Sequence, residues 1–78
     1  MQNHRPIYQI AADIRRAWAK PYFGAMPYLE AMSSLSSIED RYVEDSARSI
    51  LLYFLANAST FRGEQAKAIK AEIKSILK

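Results

Sequence analysis

The chain has 78 residues, half of them hydrophobic, with 11 Lys and Arg against 8 Asp and Glu, a formal charge of +3, two glycines and no cysteine. At this length it reads as one domain that buries about 60–65% of its unfolded surface and has a stability of about 4–12 kcal/mol. The composition speaks against disorder, and the missing cysteines exclude a disulfide framework and thiolate metal ligation.

The opening MQNHRPIYQI contains no apolar run of signal-peptide length, and no later run approaches ~18 apolar residues. Neither secretion nor membrane spanning is expected, and a reducing cytoplasm is the expected compartment. Residues 6–19 form the first predicted helix, because Ile7, Ile10, Ala11, Ile14, Ala17 and Trp18 share a face while Arg15 and Arg16 lie off it. Pro6 suits its first turn, and Lys20-Pro21 stops it.

Residues 22–24 form a connector rich in aromatics, and Pro27 starts a short helix through Met32. The serines of 33–37 compete with the backbone for hydrogen bonds and mark a second connection. Ser36-Ser37-Ile38-Glu39 has capping-box spacing, which predicts a separate helical turn over 37–42.

The stretch DSARSILLYFLANA, residues 45–58, organises the rest. At about 100° per residue, Ile50, Phe54, Ala47, Ala58, Leu51, Leu55 and Leu52 fill an apolar arc of roughly 200°. Such a helix must be covered nearly all round, leaving a polar stripe of Ser46, Ser49, Tyr53 and Asn57. Asp45 is the expected N-cap. A helix unbroken from Ser37 would put Ile38 and Tyr42 on the polar side, so a break before Asp45 is expected. Ser59 and Thr60 offer caps for a last helix with Ala66, Ile69, Ile73, Ile76 and Leu77 inside and Lys67, Lys70, Lys74 and Lys78 outside. The expected fold is all-α: a small bundle of three principal helices and one short helix, packed around 45–58.

The strings YFGAMPYLEAM (22–32), DSARSILLYFLANASTFRGE (45–64) and AKAIKAEIKSIL (66–77) resemble a family of small proteins common in bacteriophages and integrative elements. That family favours Gly at the positions of Val43 and Ala47 and Trp at that of Phe61, where this chain departs from it. The resemblance implies a bacterial host and a mobile genome, and it carries no activity onto any residue.

Chemistry-bearing motifs are sparse. His4 is the only histidine and no Cys is present at ligand spacing from it, so no metal site is expected. Glu39, Asp40, Glu44 and Asp45 cluster without calcium-loop spacing, and capping explains two of them. Nothing pairs a nucleophile with a base or cradles a phosphate, and no enzyme activity, cofactor or small-molecule substrate is expected.

Two surfaces remain. Tyr22, Phe23 and Tyr28, with Ser49, Tyr53, Asn57 and Arg62, are the expected partner-facing residues, and the partner is another protein or a second copy in a homodimer. Arg62 falls on the apolar side of the predicted last helix and is expected to reach a helix C-terminus or the acidic 39–45 segment. The leading expectation is therefore a non-enzymatic interaction or accessory protein of a phage or mobile element. The alternative is a weak, sequence-tolerant nucleic-acid binder using Lys67, Lys70, Lys74 and Lys78, whose plainer reading is a solvated face.

Overall fold

The computed structural model describes residues 4–78. Helix α1 spans Ile7–Ala17 behind Pro6 and buries Ile7, Ile10, Ala11 and Ile14, the face its spacing predicts. It ends sooner than residue 19, because Trp18 has already turned to extended backbone ahead of the Lys20-Pro21 stop. The first amides of a helix lack partners within it. Here Ile7 N–H donates to the Ser36 carbonyl at 3.0 Å and Tyr8 N–H to that of Leu35 at 2.9 Å, which ties the serine-rich connection to the start of α1.

A 3-10 turn at Phe23–Ala25 leads into α2, Met26–Met32, with Pro27 in the first turn and Leu29, Ala31 and Met32 inside. Beyond it the sequence reading needs correction. Residues 37–42 do not form a helical turn, and Glu39 completes no capping box. Instead the Asp40 carboxylate accepts the N–H groups of Ser36 and Ser37 at 2.7 and 3.2 Å, and Asp40 N–H donates to the Ser37 carbonyl. A short acid that satisfies nearby amides in this way competes with helix continuation. Strands β1 (Arg41–Tyr42) and β2 (Asp45–Ser46) then pair antiparallel, with Arg41 opposite Ser46 and Tyr42 opposite Asp45. The turn between them holds Val43 at φ 56°.

The break expected before Asp45 is thus a hairpin, and α3 is Ala47–Ala56, shorter at both ends than 45–58. Its N-cap is not Asp45 but Ser46, the last residue of β2, whose hydroxyl accepts Ser49 N–H at 3.1 Å. The connection to the last helix is also longer than Ser59-Thr60. Helix α4 begins at Glu64 and runs to Leu77, with Gly63 before it at φ 108°, a region that favours glycine. The reason is Phe61, which is 2% exposed and stacks on Trp18 at 5.0 Å between ring centres. Burying that ring outweighs the capping that Ser59 or Thr60 would supply.

The four helices enclose one core. α3 packs against α2 and α4, α1 packs against α2 and α4, and Trp18 at the end of α1 meets Phe54 of α3 edge-on at 6.3 Å. Phe54, Ile50, Leu51 and Ala47 are buried as the apolar arc requires, but Leu52 at its margin is 51% exposed. The fold is all-α apart from the small hairpin. Among the described residues, no helix is long and apolar enough to cross a membrane. Polar clasps finish the assembly: Arg5 takes both Glu72 oxygens at 2.8 and 3.0 Å and also bonds Asp13, which Arg16 shares, while Arg48 donates to the Leu77 carbonyl at the end of α4.

Candidate functional site

The contact between α2 and α3 joins the two halves of the expected partner surface. The Tyr28 and Tyr53 rings lie 5.7 Å apart, one from each helix. Tyr22 and Phe23 pack ring to ring at 4.9 Å in the connector. The connector meets α3 at Gly24, where an added Cβ would stand 2.6 Å from Tyr22 Cε2 and 2.9 Å from Asn57 Oδ1. Only a residue without a side chain allows Tyr22 and Asn57 to approach one backbone so closely. Asn57 Nδ2 in turn donates to the Tyr53 carbonyl at 2.9 Å. Tyr22, Phe23, Tyr28, Tyr53 and Asn57 are therefore linked in a single surface, and Phe23 is its most open member at 79% exposure.

Two residues expected in this group do not join it. Ser49 is half-buried and spent at the start of α3, where its amide and hydroxyl both meet Ser46 Oγ. Arg62 lies ahead of α4 rather than on its apolar side and reaches neither the acidic segment nor a helix C-terminus. It is exposed, and its Nε donates to the Ser59 carbonyl at 3.3 Å. Met26, 40% exposed at the start of α2, is an apolar residue of the connector end that sequence reasoning passed over. Its position one residue before Pro27, in the first turn of a short helix, was the available signal.

The three lysines of α4 and Lys78 just beyond it keep the outward placement their spacing predicts: Lys67, Lys74 and Lys78 are exposed and Lys70 is half-buried. Lys70 Nζ lies over the Phe61 ring, 5.8 Å from its centre. Burial, then the nearby charges of Lys74 and Arg62, holds the Lys70 ammonium below the usual lysine range.

A pocket at the other end of α4 is lined by His4, Arg5, Ile7, Ser36, Ser37, Ile38, Glu39 and Ile76. The Arg5 guanidinium is already committed to Glu72 and Asp13, and the Ser37 hydroxyl to Asp40 and the Glu39 amide. Among the described residues, no group of three or more His, Asp or Glu side chains is placed to hold a metal ion.

Searches of family models, curated proteins and solved structures found no match to this chain.

Proposed function

We propose that this is a non-enzymatic interaction protein that binds another protein through the surface of Tyr22, Phe23, Met26, Tyr28, Tyr53 and Asn57. The observation that carries the reading is the junction of the aromatic connector with α3, marked by the Tyr28 and Tyr53 rings and by the close approach at Gly24. Aromatic side chains with few rotatable bonds supply large contact area at low entropic cost, and their hydroxyls add directional hydrogen bonds. The helices beneath hold them in place before any partner arrives, which lowers the ordering cost of binding.

A second copy is the partner this surface fits. None of its six residues is charged, so setting two copies face to face brings no like charges together there, and a two-fold contact matches each ring with its own counterpart. An accessory role in a bacteriophage or mobile element, in a bacterial cytoplasm, rests on the resemblance of residues 22–32, 45–64 and 66–77 alone.

Sedimentation of wild type and of Phe23→Asp, both near neutral pH, tests the reading. Phe23 is so exposed that the substitution leaves the core intact, so a concentration-dependent dimer lost in the variant supports the proposed surface. A dimer that the variant retains would place the contact elsewhere.

A further inference from the structure

Helix α4 carries a charge imbalance that the fold sharpens. From Phe61 to Lys78 there are five bases against Glu64 and Glu72. Glu72 is drawn off by Arg5, which occupies both of its oxygens. Glu64 sits in the first turn, where the helix dipole favours an acid. Among the described residues, the ion pairs are those of Arg5 and Arg16, and none involves a lysine of α4.

The cations also converge from two elements. Arg62 directly follows the buried Phe61 and is held at the 59–63 connection by the Ser59 carbonyl. Lys70 Nζ lies over the same Phe61 ring, and Lys74 follows one helical turn later. Lys70 thus feels the charges of both Lys74 and Arg62, and like charges so placed are relieved by an anion that bridges them.

We propose that Arg62, Lys70 and Lys74, extended along α4 by Lys67 and Lys78, form a face that grips the sugar-phosphate backbone of nucleic acid without reading its sequence. The row from Lys67 to Lys78 rises about 16 Å along the helix. Over that length one DNA strand presents a phosphate every ~3.4 Å, so several are within reach of the row. Sequence reading by a helix in the major groove uses its N-terminal residues, which here are Glu64 and Gln65. An anionic membrane is the poorer fit, because a helix that lies on a bilayer inserts its apolar side, and in α4 Ile69, Ile73 and Ile76 are enclosed in the core.

The test is fluorescence anisotropy of the full chain with two labelled duplexes of unrelated sequence, titrated with salt from ~50 mM upward. Wild type and the double variant Arg62→Gln, Lys74→Gln are compared, both substitutions lying at exposed positions that leave the stem of Lys70 on Phe61. Equal binding of the two duplexes is expected, with a log–log salt slope shallower by about 2 in the variant, at about 0.9 per lost phosphate contact. No binding at ~50 mM salt, or an unchanged slope in a variant that melts like wild type, overturns the proposal. Retention by vesicles of anionic phospholipid without retention by DNA overturns it as well. The variant leaves the aromatic surface untouched, so its dimerisation is read separately.

Discussion

Val43 holds φ 56° at the first central position of the β1–β2 turn, with its side chain 84% exposed. A positive φ there is the place for glycine in a two-residue hairpin, and a β-branched residue in it is strained by about 1–3 kcal/mol. No packing offsets that strain. Glycine removes it while adding about 0.5–1 kcal/mol of backbone entropy to the unfolded chain. Val43→Gly should therefore raise stability by about 1 kcal/mol, read as a thermal midpoint several degrees higher. A lower midpoint would contradict the turn geometry.

Asp40 and Asp13 make the acid response residue-specific. The Ser36 amide, then the Ser37 amide, hold the Asp40 carboxyl below the usual carboxylate range, while a hydrogen bond from Arg5 does most of this for Asp13. Each folded pKa lies below its unfolded value near ~3.9, so the stabilisation is complete above that value and is lost as pH falls through the folded one. Melting curves should hold their midpoint from about pH 7 to 5 and fall below about pH 4. Asp40→Asn should shallow that fall, and an identical acid profile would show that its carboxylate does not anchor the 36–40 turn.

At the scale of elements, α1 and α4 were legible because Ile7, Ile10 and Ile14, and Ile69, Ile73 and Ile76, repeat at helical spacing and all of them are buried. The ends of the helices were not legible, because contacts distant in sequence decide them. Ser59 and Thr60 are good caps, yet Trp18, more than forty positions away in the chain, draws Phe61 inward and postpones α4 to Glu64. The phase mismatch of Ile38 and Tyr42 located the break before α3 but not its form, since no Asn-Gly or Asp-Gly pair announced a hairpin and Val43 stands where a glycine would have done so.

The core joint is open to direct measurement. Phe54 is fully buried and meets Trp18, so Phe54→Ala should cost about 3–5 kcal/mol, a large share of the stability of a chain this size. Phe61→Ala tests a different point, that the 59–63 connection is held from within. It should lower the midpoint comparably. At the joint of α2 and α3, Gly24→Ala should push the Tyr22 ring and the Asn57 amide aside at small cost in stability, since both are side-chain ends, and the NMR signals of both should shift. Unshifted signals would mean that the connector does not seat on α3 as described.

For the whole molecule, the proposed partner surface was only partly legible. Tyr22, Phe23, Tyr28, Tyr53 and Asn57 were recognisable as aromatics and polar residues left over from the core, but nothing in their spacing said that the connector would fold against α3. Tertiary packing alone brings the Tyr28 and Tyr53 rings together. Ser49 was misread because its hydroxyl and amide serve the Ser46 cap, and Arg62 because the start of α4 was placed too early. The result is a molecule with an uncharged aromatic surface and a cationic helix face. The first is proposed to bind protein and the second nucleic acid.

Light scattering across micromolar concentrations tests the proposed surface most directly. For wild type, the mass should rise from the 8.9 kDa of one chain towards twice that value as concentration increases, while Phe23→Asp and Tyr53→Asp remain at 8.9 kDa with unchanged melting. A wild-type mass fixed at 8.9 kDa throughout, or a dimer that both variants retain, would contradict pairing through the aromatic surface.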